Sequence, residues 1–239
     1  MTKLSVNINK IATLRNARGG ETPSVTEAAV KIQEFGAHGI TIHPRPDERH
    51  ITRKDVYDLK PLVHTEFNIE GNPHRKFINM VLEIKPEQVT LVPDADDAIT
   101  SNAGWDCEKN LDFLKSVIAE FKNAGIRTSI FLDPNPEMVK FAAETGTDRI
   151  ELYTEAYAKN YSVNKEQAIK PYVETAEKAA EFGLGINAGH DLSLENLKYF
   201  SDHIPKLLEV SIGHALVSEA LYMGMENTVQ AYLKRLAKW

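Results

Sequence analysis

The side chains that could do chemistry in this chain are imidazoles and carboxylates at the downstream ends of short apolar runs. His43, Glu70 and His190 follow such runs, and Glu151 lies between two aliphatic residues. Imidazoles and partly buried carboxyl groups give and take protons near neutral pH. The pattern predicts an enzyme that uses acid–base catalysis. For Glu151 a structural salt bridge to Arg149 or Arg127 stays open as an alternative.

Cationic and small residues beside these groups indicate phosphate binding. The segment 43–50 holds His43, Arg45 and His50 with two prolines, and guanidinium groups suit phosphate oxygens. The alternative is a solvated loop whose own acids neutralise its arginines. Gly-His pairs at 189–190 and 213–214 predict backbone amides that approach a second anion.

Asn7 and Asn9 alternate with apolar residues at the end of the first strand-like run. Alternation places both amides on one face of a strand. They suit either hydrogen bonds to a ligand or hydrogen bonds that close the barrel end through loop backbone. The spacing of the histidines does not favour a metal site, and Cys107 has no recognisable base nearby.

Eight strand-like runs alternate with helical patterns, which predicts an α/β fold with parallel strands. The strand-like runs are 4–9, 39–43, 66–70, 88–92, 127–132, 149–153, 184–187 and 207–212. The helical patterns are 25–35, 75–83, 111–123, 137–144, 168–182 and 219–238. Because no glycine-rich turn follows the first strand, a (β/α)8 TIM barrel with additional short helices is favoured over a doubly wound sheet, as one domain over residues 1–239. Irregular loops are predicted at 15–23, 93–105 and 155–165.

Composition limits the class of partner. The formal net charge is −6, with 42% hydrophobic and 26% charged residues, which argues against a nucleic-acid surface. The first ten residues lack the pattern of a signal peptide, and no apolar run is long enough to cross a bilayer. We therefore expect a cytoplasmic protein without membrane or nucleic-acid partners.

Four segments together resemble the pyridoxine 5'-phosphate synthase family. They are 6–18 (VNINKIATLRNAR), 39–52 (GITIHPRPDERHIT), 187–190 (NAGH) and 212–215 (IGHA), and the likeness runs from the first strand to the last. The resemblance implies a barrel that condenses 3-amino-2-oxopropyl phosphate with 1-deoxy-D-xylulose 5-phosphate. The products are pyridoxine 5'-phosphate, phosphate and water, in vitamin B6 biosynthesis. It also implies no metal or organic cofactor, and a cytoplasmic homo-oligomer that is usually an octamer.

The resemblance also implies residue roles. His43 and Glu70 match general bases, His190 a general acid, and Glu151 a group that stabilises charge in the transition state. Contacts to the amino-ketone phosphate match Asn7, Arg18, Asp191, Gly213 and His214. Contacts to the deoxyxylulose phosphate match Asn9, Lys10, Arg45, His50 and Thr100.

The chain departs from the family at three of these positions. Asn9 and Lys10 stand where the family commonly has Asp and His, and Asp191 stands where it commonly has glycine. Asp191 is expected to keep its role through its backbone amide. Two other functions stay open: a barrel isomerase, epimerase or aldolase acting on one sugar phosphate, and a phosphate-binding homologue without activity.

Overall fold

Eight parallel strands close into a barrel in which each strand pairs with the next and the last pairs with the first. The computed structural model describes residues 1–94, 101 and 103–237. The strands are β1 (Lys3–Asn7), β2 (Gly39–Ile42), β3 (Glu66–Gly71), β4 (Gln88–Leu91), β5 (Arg127–Leu132), β6 (Arg149–Tyr153), β7 (Gly185–His190) and β8 (Leu207–Ile212). Each of the eight predicted runs overlaps a strand, although the first strand ends at Asn7 rather than at residue 9, and the barrel is confirmed.

Helices surround the barrel. They are α1 (Asn9–Arg18), α2 (Val25–Glu34), α3 (Arg53–Leu59), α4 (Arg75–Ile84), α5 (Leu111–Asn123), α6 (Pro136–Glu144), α7 (Glu155–Tyr161), α8 (Lys165–Glu181), α9 (Leu197–His203), α10 (His214–Met223) and α11 (Met225–Leu236). Within the described residues, no helix is both long enough and apolar enough to span a bilayer.

Three predictions about local structure are wrong. Residues 15–18 were predicted as loop but form the last turn of α1, and most of the predicted loop 155–165 is α7. The predicted helix 219–238 is two helices separated at Gly224, whose φ of +78° breaks the helix. The irregular segment after α1 is therefore only Gly19 to Ser24.

The barrel wall separates an apolar shell from a polar interior. Aliphatic strand residues such as Leu4, Val6 and Ile40 are fully buried in the core cluster that the helices cover. The interior instead holds hydroxyl and amide side chains, such as Ser5 and Thr41, whose hydroxyl oxygens are 2.7 Å apart. Because these groups hydrogen-bond to one another, the energetic cost of burying them is offset.

Charged residues are paired at the N-terminal end of the barrel. Arg127 and Arg149 both reach Glu66, and Arg149 Nη1 lies 3.6 Å from Glu209 Oε2. Burial and the neighbouring Glu66 raise the pKa of Glu209 well above its ordinary value. These pairs engage the two arginines that were the alternative partners of Glu151, so that alternative is wrong.

Candidate active site

A cavity of about 440 Å³ opens where the C-terminal ends of the strands meet. Its walls come from β1, β3, β5, β6, β7 and β8 and from the segments that follow β1, β2, β4, β7 and β8. It is lined by twelve of the residues predicted from sequence: Asn7, Asn9, Lys10, His43, Arg45, His50, Glu70, Glu151, His190, Asp191, Gly213 and His214.

Two predicted residues are not among those that line the cavity. Arg18 is exposed in the last turn of α1. Thr100 lies outside the residues that the structure describes. Their assigned contacts to the two phosphates stay predictions.

Asn7 and Asn9 organise the edge of the cavity. Asn9 begins α1 rather than ending a strand, so the prediction that both amides alternate on one strand is wrong. Asn7 Oδ1 accepts from the Asn9 backbone N–H at 3.0 Å, and Asn9 Oδ1 accepts from the His43 backbone N–H at 2.9 Å. The two side chains therefore tie loop backbone together, and both also face the cavity.

His43 and Glu70 form a buried pair. His43 Nδ1 lies 4.0 Å from Glu70 Oε2, and Asn7 Nδ2 donates to the same oxygen at 3.4 Å. Burial lowers the pKa of His43 well below its ordinary value, and the charge of Arg45 acts in the same direction. Burial, then the charges of Glu151 and Asp94, raise the pKa of Glu70 well above its ordinary value. Both shifts therefore favour a neutral imidazole beside a protonated carboxyl group over an ion pair.

Glu151 lies on β6, opposite Phe131 of β5. Burial raises its pKa to about 7, against the opposing effects of His190 and of a hydrogen bond from Thr90 Oγ1. A carboxyl group with this pKa is poised to exchange a proton near neutral pH. The apolar Phe131 ring also lines the cavity and helps to keep water from it.

Arg45 is held by an acid that the sequence did not indicate. Its Nη2 donates to Asp94 Oδ2 at 2.7 Å, and Ser101 Oγ donates to the same oxygen at 2.6 Å. The neighbouring acids of the loop are engaged elsewhere: Asp47 pairs with Arg49, and Glu48 accepts from a backbone N–H. A phosphate that binds Arg45 therefore meets a guanidinium already paired with Asp94 and can use its remaining N–H donors.

The tautomer of His50 is fixed by the backbone of the next residue, Ile51. His50 Nδ1 accepts from the Ile51 backbone N–H at 2.8 Å, so the neutral ring carries its proton on Nε2. Burial, then the charges of Arg45 and Lys10, lower its pKa to about 4. His50 is therefore a neutral hydrogen-bond donor at physiological pH.

The end of β7 presents His190 in an uncommon backbone conformation. Its φ is +79°, which is unfavourable for most residues other than glycine. The buried Thr154 hydroxyl holds this turn, since it donates to the Gly189 carbonyl and accepts from the Asp191 N–H. The Asp191 N–H also donates to the Gly189 carbonyl at 3.2 Å. The expectation that this amide is available to a phosphate is therefore not supported.

A helix begins directly at the end of β8. Gly213 precedes α10, whose first turn holds no acidic residue and whose N-cap makes no side-chain hydrogen bond. An ideal Cβ at Gly213 would lie 3.0 Å from Asn7 Cβ and 3.1 Å from Asn7 O, so a larger residue would crowd β1. Ser211 Oγ is buried beside this turn and, within the described chain, has no hydrogen-bond partner. The arrangement suits an anion.

Several residues that line the cavity were not predicted from the sequence. The site residues predicted from the sequence did not include Val92, Ser101, Phe131, Ser211 or Ala215. Ser211 was recoverable, because it precedes the glycine-histidine pair at a strand end. Ser101 was not, because it follows β4 in a long segment without a strand or helix pattern.

A metal site and a cysteine nucleophile have less support. Among residues 1–94, 101 and 103–237, no three His, Cys, Asp or Glu side chains are placed to hold a metal ion. Cys107 is buried, and burial raises its pKa to about 12, which makes the reactive thiolate unfavourable.

Known proteins resemble this chain over its whole length. Pyridoxine 5'-phosphate synthase from Christiangramia forsetii is 66% identical over 236 residues, which is 99% of this chain and all of the relative. The protein of the same name from Bacteroides thetaiotaomicron is 62% identical, and the match covers 97% of this chain and 98% of the relative.

Solved structures share the fold at low identity. Phosphoribosylanthranilate isomerase from Pyrococcus furiosus superposes with a TM-score of 0.62 at 10% identity, covering 99% of this chain and 98% of that one. The tryptophan synthase A-subunit from the same organism has a TM-score of 0.63 at 12% identity, covering 98% of this chain and 97% of that one. The family described as "Pyridoxal phosphate biosynthesis protein PdxJ" matches residues 4–238, and the chain belongs to this family.

Proposed function

We propose that this chain is a pyridoxine 5'-phosphate synthase. It condenses 3-amino-2-oxopropyl phosphate with 1-deoxy-D-xylulose 5-phosphate and releases pyridoxine 5'-phosphate, phosphate and water. The observation that carries the proposal is that His43, Glu70, Glu151 and His190, from four different strand ends, line one cavity. The choice among barrel enzymes that act on phosphates rests on the full-length identity to curated synthases.

Two ends of the cavity suit the two phosphate groups. At one end, Gly213 and His214 begin α10, and Asn7 lies beside them. At the other, Lys10, Arg45 and His50 supply two cations and a neutral N–H donor. Because α1 and α10 have no acidic residue in their first turns, neither helix N-terminus repels an anion.

The reaction needs several proton transfers, which explains a cavity with several exchanging groups. The substrate amine attacks the ketone of the deoxyxylulose phosphate, and water is lost to form an imine. Removal of a proton from carbon gives an enamine, and phosphate leaves. Water addition and aldol-type closure then form the ring, and the loss of two water molecules makes it aromatic.

The protonation states that the cavity favours fit this order of steps. Neutral His43 can accept a proton at the start, while protonated Glu70 can supply one and then act as a base. Negative phosphates entering the site favour the protonated form of His43, since they oppose the effect of Arg45. Glu151, with its pKa of about 7, becomes an anion when a cationic iminium or imidazolium forms beside it.

The test is a two-substrate assay with purified protein. Pyridoxine 5'-phosphate is separated by chromatography and detected by fluorescence, and phosphate release is measured in parallel. We expect equimolar products only when both substrates are present. The Glu151→Gln variant serves as the inactive control, and Glu144→Gln, an exposed site on α6, serves as the matched active control.

Two outcomes would point to the rival functions. Turnover of a single phosphosugar without the amine would indicate an isomerase, epimerase or aldolase. Binding of both ligands by calorimetry without product would indicate a phosphate-binding homologue. Either result contradicts the proposal.

We also propose a cytoplasmic homo-oligomer, as the family resemblance implies. Exposed apolar side chains support self-association: Leu14 on α1 is 53% exposed, and Leu221 and Tyr222 on α10 are 71% and 93% exposed. A soluble monomer rarely leaves neighbouring large apolar groups in water without function. Sedimentation analysis tests this, with the octamer as the expected species and a monomer at micromolar concentration as the contradicting one.

A further inference from the structure

Asp191 directs its carboxylate at the imidazole of His190. His190 Nδ1 lies 3.0 Å from Asp191 Oδ2, and the two side chains are about one third exposed. A carboxylate can only accept a hydrogen bond, so the contact requires a proton on Nδ1. The neutral ring is thereby held in the Nδ1–H form, and the exchanging proton belongs to Nε2.

The backbone of Asp191 is fixed independently of its carboxylate. Its N–H donates to Thr154 Oγ1 and to the Gly189 carbonyl, and its own carbonyl accepts from Asn196 Nδ2 at 3.3 Å. A change confined to the side chain therefore leaves the turn after β7 in place. The contact to His190 is what the carboxylate adds to this turn.

We propose that Asp191 is a positioning residue for His190. Its carboxylate selects the imidazole tautomer and stabilises the imidazolium form that donates a proton to the substrate. In the step itself, Nε2 gives its proton to the departing or carbonyl oxygen, and the ring keeps the Nδ1 proton. Asp191 remains a carboxylate throughout. The inference rests on the proposed role of His190 as the general acid.

Other charges act on His190 and must be separated from that of Asp191. The neighbouring titratable groups come from the β2 loop, from β6 and from α7: His43, Glu151, Tyr153 and Glu155. Of these, Glu155 is the most useful comparison. It is a surface carboxylate whose charge reaches His190, and its side chain bonds Tyr153 and Lys159.

The experiment compares Asp191→Asn with Glu155→Gln in the full-length protein. Asparagine keeps the size of the side chain but removes the charge, so the imidazolium loses stabilisation. We expect the ratio of kcat of Asp191→Asn to kcat of the unmodified protein to be about three- to tenfold lower at pH 8.5 than at pH 6.5. KM should change little. The kcat of Glu155→Gln should depend less on pH, because this change removes an equal charge but no contact to His190.

A spectroscopic measurement keeps the inference separable from the proposed function. Nitrogen chemical shifts of His190, assigned by comparison with His190→Gln, report the tautomer without any substrate. We expect the Nδ1–H form in the unmodified protein and a mixture in Asp191→Asn. An unchanged tautomer and an unchanged pH profile in Asp191→Asn overturn the inference, and so does an equal effect of Glu155→Gln. If His190→Gln keeps full activity, the assigned role of His190 fails instead, and the tautomer result still stands.

Discussion

His43 Nδ1 lies 4.0 Å from Glu70 Oε2, and both side chains are almost completely removed from solvent. Burial lowers the pKa of the imidazole and raises that of the carboxyl group, so the electrostatics of the site oppose an ion pair. The pair is best described as two neutral groups that can pass one proton. Its members come from the ends of neighbouring strands, β2 and β3, which fixes their separation.

The first prediction concerns the joint action of this pair. We expect His43→Asn and Glu70→Gln each to lower kcat by about 10²- to 10⁴-fold, since each removes a proton-transfer group. The double variant should lose little more than the worse single variant, because residues that act as a unit are not additive. Steady-state kinetics of all three variants provide the measurement. His64→Gln, an exposed histidine, is the control that should retain activity.

Additive losses in the double variant would show that the two groups act in separate steps. A rise in KM without a fall in kcat would show that they only bind substrate. Either outcome would remove the description of the pair as a proton-transfer unit.

The second prediction concerns Glu151 and the pH dependence of stability. Its pKa rises on folding from an ordinary 4.5 to about 7, so between these values the folded state binds more protons than the unfolded state. The free energy of unfolding therefore falls as pH rises through this window. Glu151→Gln removes the energetic cost of ionising this buried carboxyl group. The variant should therefore be more stable than the unmodified protein above pH 7, by about 1–3 kcal/mol. The gain should vanish below about pH 4.5.

Urea unfolding at a series of pH values measures this difference. Glu144→Gln, which changes an exposed carboxylate on α6, should follow the unmodified protein at every pH. If Glu151→Gln is less stable than the unmodified protein above pH 7, the ionised carboxylate is not destabilised by burial, and the prediction is wrong.

The barrel and most of its cavity could be predicted because they follow from repeated local patterns. β-Branched runs mark all eight strands, and the C-terminal ends of parallel strands must meet at one face. His43, Glu70, Glu151 and His190 could therefore be placed together without knowing any distance. The residue types at the strand ends indicated which chemistry the site could perform.

Helices that depend on tertiary packing were missed. α7 has the sequence EAYAKNY, whose alanine, glutamate and lysine residues favour a helix, but seven residues are too few to show a helical period. Its Tyr157 is fully buried, with ring contacts to Tyr172 and Phe200, and this packing stabilises the helix. Such contacts join residues far apart in the chain, and one sequence does not display them.

The partner of Arg45 was hidden for the same reason. Asp47 and Glu48 are its neighbours in sequence, but the buried ion pair is with Asp94, 49 positions away. The prediction that local acids neutralise the loop holds for Arg49 and Asp47 only. Sequence distance is a poor guide to ion pairs between segments that follow different strands.

The third prediction concerns the buried ion pair that anchors α1 to α3. Arg15 Nη1 and Nη2 donate to the two oxygens of Asp55 at 2.5 and 2.8 Å, and each side chain is 9% exposed. Asp55 also caps α3 together with Thr52. Because removing one partner leaves a buried charge, Arg15→Met should lower the free energy of unfolding by about 3 kcal/mol.

A double-mutant cycle tests the pairing itself. Arg15→Met combined with Asp55→Asn should cost less than the sum of the two single changes, because neither charge is then left alone. Lys54→Met removes a pair to Asp58 in which the lysine side chain is 82% exposed, and it should change stability by less than about 1 kcal/mol. Equal losses from Arg15→Met and Lys54→Met would contradict an anchoring role.

The fourth prediction concerns the glycine that precedes His190. A Cβ at Gly189 would lie 2.4 Å from the Ser211 carbonyl oxygen and 3.1 Å from Glu151 Oε1. The backbone of β8 cannot yield without moving the cavity wall, so Gly189→Ala should displace Glu151 from its position. Since small displacements of reacting groups are costly, we expect kcat to fall by at least about tenfold.

Gly185, at the other end of the same strand, provides the matched control. Its Cβ would meet Leu208 Cδ1, the end of an exposed side chain, and Arg149 Cγ, both at 2.8 Å, at the end of the barrel opposite the cavity. Gly185→Ala should therefore lower the melting temperature slightly and leave kcat unchanged. Kinetics and thermal unfolding of both variants separate the two effects. If the variants lose activity equally, the loss reflects general damage to β7, and the close approach of Gly189 to Glu151 is not what shapes the site.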